Sequence, residues 1–132
     1  MGLLSFLSKQ LANYSAAKTR RWSSNGVAVQ EKIFQELIRR GKVTAFGRDH
    51  RFTEISDYTS FKKNVPVRDY EGLSTYFNRT KSGEASVMWP GKPLYLAKTS
   101  GTTSGTKYIP ITGDSISNHI NATRDALLSY IH

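Results

Sequence analysis

The stretch LYLAKTSGTTSGTKYIPIT, Leu94–Thr112, predicts two short strands joined by a loop that is built almost wholly from Thr, Ser and Gly. LYLAK, at its start, has the aromatic and alternating pattern of a strand. KYIPI, after the loop, is the clearer strand, although Pro110 confines it to the edge or the end of a sheet because proline has no N–H to donate. The stretch therefore predicts a hairpin-like unit whose loop is the candidate functional feature.

Apolar residues at helical spacing predict two helices at the start of the chain. The first is amphipathic, ends near the basic cluster at residues 18–21, and carries its apolar stripe on Leu4, Leu7, Leu11 and Tyr14. The apolar face of the second helix is formed by Val29, Ile33, Phe34, Leu37 and Ile38. Gly41 follows that face, and we expect it to end the second helix in a left-handed conformation.

The middle of the chain predicts a turn-rich stretch, Thr44 to Phe52, and then a short helix around Tyr58 and Phe61. Pro66 ends that helix, since proline disfavours helical geometry in the residue before it. The sequence WPGKP, at residues 89–93, predicts a turn just before the first strand.

Two further helices are predicted, one before the hairpin-like unit and one after it. Asp69 can cap the first, which Ser82 and Gly83 close and whose inner face is formed by Tyr70, Leu73, Tyr76 and Phe77. The helical spacing of these aromatic residues favours core packing over a stacking platform for a ligand. Thr112 can cap the last helix, whose stripe of Ile116, Ile120, Thr123, Leu127 and Ile131 reaches the end of the chain and predicts a longer polypeptide.

The composition limits the class of protein. With 132 residues, of which 38% are hydrophobic, the chain is expected to form one domain or part of one, without an internal boundary in residues 1–132. The absence of cysteine excludes disulfides, thiolate nucleophiles and Cys-based zinc sites, and it favours a reducing, cytoplasmic location. No apolar run reaches the roughly 20 residues of a membrane-spanning helix. We therefore expect no membrane association.

The net charge of +9 calls for a negatively charged partner. Its densest part is the cluster from Lys18 to Arg21, which is followed by Trp22. No RNA-binding signature, zinc finger or basic zipper accompanies the cluster, so nucleic acid is not the expected partner. A basic module that binds nucleic acid, or one that only contacts another protein, stays the alternative.

The spacing of the Ser/Thr/Gly loop excludes two familiar motifs. Gly101 and Gly105 are separated by three residues, and Thr106 stands between Gly105 and Lys107, whereas a Walker A loop needs four residues and then Lys at once. Ser104 and Lys107 have the Ser-x-x-Lys spacing of penicillin-recognising hydrolases, but that motif requires a helix, which the surrounding glycine and proline disfavour.

A loop that wraps phosphate oxygens explains the composition better. Glycines accept a positive φ, so that successive N–H groups can point inward and form an anion-binding concavity. The Ser and Thr hydroxyls add donors, and Lys107 supplies a point charge. A flexible surface turn is the alternative that composition leaves open.

The sequence TSGTTSGTKYIPIT resembles the phosphate-binding loop of the adenylate-forming superfamily, and most of all its auxin-responsive Gretchen Hagen family of acyl-acid amido synthetases. The upstream segments QEKIFQELI, TAFGRDHRF and DYTSFKKNVPVRDYEGL resemble that family's N-terminal region in order and spacing. The resemblance runs from Gln30 to Thr112. It implies an α/β fold in which N-terminal helices precede the first strands of a larger, mixed-sheet adenylate-forming domain that is incomplete here.

The resemblance also implies the chemistry. ATP with Mg²⁺ activates a carboxylic acid as its acyl-adenylate, and an amine or amino acid then takes the acyl group; transfer to coenzyme A is the near variant. Residues that match the family's loop are expected to contact the β- and γ-phosphates and are Thr99, Ser100, Gly101, Thr102, Thr103, Ser104, Gly105 and Lys107. None is expected to act as a nucleophile or a general base.

Other parts of the family's machinery have no counterpart in this sequence. The adenine-binding segment, the ribose-binding and magnesium-binding acids and the mobile C-terminal domain are missing, so we expect the chain alone to be inactive and to require the remainder of the parent polypeptide. His50, His119 and His132 are too scattered to form a metal site. The sequence therefore predicts no metal ligand and no catalytic residue in this chain.

Overall fold

The computed structural model describes residues 2–101 and 105–131, and within these ranges the fold is mixed α/β, which confirms the predicted fold class. It contains six α-helices: α1 Leu3–Ser23, α2 Gly26–Gly41, α3 Ala45–Asp49, α4 Tyr58–Asn64, α5 Ser74–Lys81 and α6 Gly113–Ser129. Two 3₁₀ turns cover Phe52–Glu54 and Glu71–Leu73. The strands β1 Tyr95–Lys98 and β2 Tyr108–Ile111 form one antiparallel sheet.

Contacts divide the chain into two compact units. Unit 1 consists of Met1–Lys32 and Asp114–His132, and unit 2 consists of Ile33–Gly113. The expectation that no domain boundary divides residues 1–132 stays a prediction.

Unit 2 is built around a small aromatic core. Ile38, Phe52 and Ile55 are buried, and the residues that pack against them are Phe34, Phe46, Phe61 and Val65. The Phe34 and Phe61 rings meet edge to face at a centroid distance of 5.7 Å, and those of Phe46 and Phe52 at 5.9 Å. Such pairs contribute about 0.5–1.5 kcal/mol beyond the area they bury. The predicted apolar face of α2 is therefore buried at Ile38, whereas Ile33 and Leu37 are exposed.

Gly41 ends α2 as predicted, but not in the predicted way. Its φ is not positive, so the helix does not end in a left-handed residue. Instead, a Cβ at Gly41 would lie 2.6 Å from Cε2 of Phe52. Glycine is required here because the Phe52 ring packs directly on the backbone.

The segment from Thr44 to Phe52, which the sequence predicts as turns, contains the helix α3. Thr44 caps it, because its buried Oγ1 accepts a hydrogen bond from Gly47 N at 2.9 Å and donates one to the Gly41 carbonyl at 2.7 Å. The N–H groups of Ala45 and Phe46 donate to the carbonyls of Ser86 and Val87, both at 2.9 Å. The prediction of turns was therefore wrong for this helix. A helix of five residues is too short to show a periodic pattern in the sequence.

The helix predicted around Tyr58 and Phe61 is confirmed as α4. Asp57 and Ser60 form a capping box, in which Asp57 Oδ1 accepts from Ser60 N at 2.7 Å. This backbone hydrogen bond, followed by one from the Ser60 side chain, lowers the pKa of Asp57 below its usual value. Val65 follows the last helical residue, so Pro66 stands where a stop is expected.

The helix predicted after Asp69 is confirmed, but it forms in two parts. Asp69 Oδ1 accepts a hydrogen bond from Gly72 N at 2.7 Å, within the 3₁₀ turn that precedes α5, so Asp69 does not cap α5 itself as predicted. Ser82 follows α5, and Gly83 has the left-handed φ of 87° expected of a closing glycine.

Unit 1 contains α1 and α6, and both predicted helices are confirmed. α1 runs through the basic cluster to Ser23 rather than ending near it. The predicted stripe residues Leu7, Leu11 and Tyr14 are exposed, and the side chain of Leu4 lies outside what the structure describes. Among the described side chains of α1, the buried ones are small: Ala12 is 1% exposed and Ser15 is 6% exposed.

The last helix likewise exposes much of its predicted stripe. α6 begins directly after Thr112 and ends at Ser129. Ile120 and Leu127 are exposed, whereas Asp125 is half-buried and accepts a hydrogen bond from the Ser15 side chain. Among the described residues, none of the helices has the length and apolar character to cross a membrane.

Candidate phosphate-binding loop

The hairpin-like unit is confirmed as a regular antiparallel pair. Tyr95 lies opposite Ile111 and Lys98 lies opposite Tyr108. The register continues past Lys98 and Tyr108, because Thr99 N donates to the Lys107 carbonyl at 3.0 Å. At the other end Leu94 N donates to the Ile111 carbonyl at 2.8 Å, one residue out of that register. Pro110 lies opposite Leu96 in a two-stranded sheet, where either strand is an edge, as its missing N–H requires.

The loop is closed at its base by Thr99 and Lys107. Besides the main-chain bond, Lys107 N donates to Thr99 Oγ1 at 3.1 Å. The Thr99 hydroxyl therefore accepts from the opposite arm and still has its own hydrogen to donate. Thr99 is half-buried and Ser100 is exposed, so the first two predicted site residues differ in their surroundings.

Both loop glycines have the positive φ that the anion-binding interpretation requires. The φ of Gly101 is 65° and that of Gly105 is 78°. A Cβ at Gly101 would lie 3.0 Å from both Gly105 C and Thr106 N, which shows that the two arms approach closely. Nothing lies within 4 Å of a Cβ at Gly105, so only its backbone conformation favours glycine. The other predicted residues, Thr102, Thr103 and Ser104, lie outside the described residues.

Lys107 lies over the ring of Tyr70, for which the sequence predicts core packing on a helix and no contact with the loop. The Lys107 Nζ is 5.2 Å from the ring centroid of Tyr70, a cation–π distance. The Tyr70 hydroxyl accepts from Tyr108 N at 3.0 Å, and its ring stacks on Phe77 at 4.4 Å and 17°. The helical spacing of Tyr70 and Phe77 predicts their packing but not this contact with the loop.

A second ammonium lies near the same end of the sheet. Lys81 Nζ is 4.6 Å from the ring centroid of Tyr108. None of the ion pairs among residues 2–101 and 105–131 involves Lys81 or Lys107. The end of the hairpin next to the loop therefore carries two cations that are held by aromatic rings rather than neutralised by carboxylates.

An apolar cavity of about 170 Å³ borders the other end of β2, where Pro110 and Thr112 line it together with Phe77 and Trp89. Glu84 is the one carboxylate in the wall, and its pKa is lowered by the hydrogen bond and charge of Arg79, 2.5 Å away.

No group of three or more His, Asp or Glu side chains suited to a metal ion occurs in the described part of the chain. His50 is buried, its Nδ1 lies 2.8 Å from the Phe46 carbonyl, and its ring stacks on Phe46 at 4.0 Å. These contacts give His50 a packing role. His119 lies on α6, and His132 is outside the described residues.

Comparison with known proteins identifies the family. The GH3 family N-terminal domain matches residues 16–132, which include the whole hairpin. Indole-3-acetic acid-amido synthetase GH3.15 from Arabidopsis thaliana is 31% identical over 101 residues, which are 75% of this chain and 17% of the relative. Indole-3-acetic acid-amido synthetase GH3.5 from the same plant is 31% identical over 83 residues, 63% of this chain and 14% of the relative.

A rice relative gives the same result. The putative indole-3-acetic acid-amido synthetase GH3.10 from Oryza sativa subsp. japonica is 31% identical over 100 residues, 71% of this chain and 20% of the relative. The chain thus spans 14 to 20% of the length of these relatives. No solved structure matches it significantly. The match over residues 16–132 confirms the resemblance seen in the sequence, and the chain belongs to the GH3 family.

Proposed function

We propose that this chain is the N-terminal part of an ATP-dependent acyl-acid amido synthetase, which adenylates a carboxylic acid and transfers the acyl group to an amine or amino acid. The observation that carries the proposal is the family match over residues 16–132, since the similar proteins are named amido synthetases. We expect the chain to bind phosphate through its loop. Because it spans 17% of the length of the first of these relatives, we do not expect it to complete the reaction alone.

In this proposal the loop from Thr99 to Lys107 binds the β- and γ-phosphates of ATP. The two left-handed glycines and the close approach of Gly101 to Gly105 support it, because such a bend lets N–H groups converge on an anion. Thr99 retains a hydroxyl hydrogen that it can donate, and Lys107 contributes a positive charge. The proposal assigns the role of further hydrogen-bond donors to phosphate to Ser100, Thr102, Thr103 and Ser104.

These residues bind and orient but do not exchange protons with the substrate. Their effect is to hold the polyphosphate in one position and to neutralise the charge that grows on the leaving pyrophosphate. Mg²⁺, which the family's chemistry calls for, would share that charge. The described residues offer groups that donate hydrogen bonds to phosphate, but no cluster of carboxylates for a metal ion. We therefore assign Mg²⁺ no ligand in this chain.

The first test is the exchange of labelled pyrophosphate into ATP by the full-length protein. We expect exchange only when a carboxylic acid is present, and Lys107→Ala should reduce it about 10-fold or more, since a charged hydrogen bond is worth about 1.5–3 kcal/mol. Lys62→Ala is the matched control, because Lys62 Nζ also lies over a tyrosine ring, that of Tyr58, at 5.1 Å. Exchange without acid, or none with a broad panel of acids, would contradict the proposal.

A glycine pair tests the loop's backbone in the same assay. Gly105→Ala should reduce exchange, because alanine resists the φ of 78°. Gly83→Ala is its control, since Gly83 has a φ of 87° and equally open surroundings but lies at the end of α5. Equal effects of the two substitutions would mean that only stability is affected. Consumption of the adenylate by coenzyme A rather than by an amino acid would identify a thioester-forming ligase instead.

A further inference from the structure

Tyr70 contacts the second arm of the candidate loop through two different groups. Its hydroxyl accepts a hydrogen bond from Tyr108 N at 3.0 Å, and its ring centroid lies 5.2 Å from Nζ of Lys107. One side chain thus contacts the main chain of Tyr108 and the charged group of Lys107. We infer that Tyr70 is a positioning residue that presets the Lys107 ammonium for a polyphosphate, an inference that rests on the function proposed above.

The register of the hairpin explains why the hydroxyl is needed. The Thr99 N–H and the Lys107 carbonyl bond to each other, so these residues form a hydrogen-bonded pair. In an antiparallel ladder the next pair, Lys98 and Tyr108, directs its N–H groups outward. The sheet has two strands, so no third strand among the described residues accepts from Tyr108 N. The Tyr70 hydroxyl satisfies that donor and thereby ties the end of the loop to the segment just before α5.

The ring of Tyr70 is itself held by packing. It stacks on Phe77 at a centroid distance of 4.4 Å with an interplanar angle of 17°, and both side chains are half-buried. Phe77 lies on α5. The Lys107 ammonium is therefore placed against a ring that a helix supports, not against another loop.

The effect on binding follows from the flexibility of lysine. A lysine ammonium sits on a four-carbon stem and loses rotamer freedom when it binds. A cation–π contact restricts that stem before the ligand arrives, so less freedom is lost on association. The contact uses the face of the ring and leaves N–H groups of Lys107 to donate to phosphate oxygens.

The test measures the affinity of the full-length protein for inorganic pyrophosphate by calorimetry. Tyr70→Leu removes both contacts and should weaken binding about two- to five-fold, the effect expected from losing an exposed cation–π contact. Tyr70→Phe keeps the ring and should weaken it less. Tyr58→Leu is the control, because it removes a tyrosine that lies under Lys62 at 5.1 Å and whose ring contacts Phe34 and Phe61, and it should leave affinity unchanged.

A double-mutant cycle separates positioning from a general structural effect. If Tyr70 acts through Lys107, Tyr70→Leu should have little further effect, less than about two-fold, in the Lys107→Ala background. If the fold losses of affinity caused by the two substitutions multiply in the double variant, the inference is overturned and the proposed function stays in place. If Lys107→Ala binds pyrophosphate as tightly as the wild type, the proposed role of the loop fails, and the inference fails with it.

A ligand-free measurement covers the case in which Tyr70→Leu alters folding. The ε-methylene protons of Lys107 should be shifted upfield by the ring current in the wild type and in Tyr70→Phe, relative to those of Lys98. Random-coil shifts for Lys107 in the folded wild type would overturn the inference directly.

Discussion

The two compact units of this chain differ in what their helices bury. Unit 2 encloses Ile38, Phe52 and Ile55 among aromatic rings. In unit 1, α1 buries only Ala12 and Ser15 among its described side chains, whereas Leu11 is 59% exposed. Both units nevertheless contain helices with apolar residues at the expected spacing. The difference shows that an apolar stripe fixes the helix but not its burial, which requires a complementary surface of matching size.

The largest difference in the free energy of unfolding is expected when one phenylalanine side chain in each unit is truncated to alanine. Phe52→Ala should lower the free energy of unfolding by about 3–5 kcal/mol, because it leaves a cavity in the core of unit 2. Phe6→Ala in α1 should change it by about 0.5 kcal/mol or less, since Phe6 is 57% exposed. Urea denaturation followed by circular dichroism measures both, and Phe52→Leu provides a milder variant. Equal losses would contradict the comparison.

A smaller difference, with opposite signs, is expected from two glycines. A Cβ at Gly47 would overlap the Gly41 carbonyl, a backbone atom that cannot move aside. Gly47→Ala should therefore cost about 1–3 kcal/mol. Gly26 begins α2 with nothing within 4 Å of its Cβ position, so Gly26→Ala should be neutral or stabilise by up to about 1 kcal/mol. Thermal unfolding of the two variants decides; destabilisation by Gly26→Ala would show an unexpected close approach.

The smallest effect concerns one carboxylate in each unit. The pKa of Asp57 is lowered first by the Ser60 backbone N–H, and that of Asp125 first by its hydrogen bond with Arg124. A folded pKa below the unfolded value of about 3.9 gives stability that is present above about pH 4 and is lost as the pH falls through the folded pKa.

Salt distinguishes these two causes. At about 1 M NaCl the pKa of Asp125 should rise towards its usual value, because its partner Arg124 is exposed and salt with a Debye length of about 3 Å screens the pair. The pKa of Asp57 should stay low, because a backbone hydrogen bond is little affected. Carboxyl carbon NMR titrations at low and high salt test this, with Arg124→Gln as the control for Asp125. A parallel rise at both sites would contradict the assigned causes.

The candidate site illustrates how far local pattern extends. The two strands and the loop glycines with positive φ follow from residue types and spacing, since they depend on neighbours within a few positions. The family could also be identified from the same residues. The contact between Tyr70 and the loop could not, because Tyr70 and Tyr108 are 38 residues apart and their approach depends on how α5 packs.

By itself, the sequence determined the helices with long periodic patterns, the hairpin and the membership of the GH3 family. The tertiary structure alone decided which helix faces are buried, why Gly41 must be glycine beneath Phe52, and that Thr44 starts a helix rather than a turn. The reason is physical. Periodicity and capping report backbone geometry over a few residues, whereas burial and ring contacts require a partner that is distant in the chain and that no local pattern specifies.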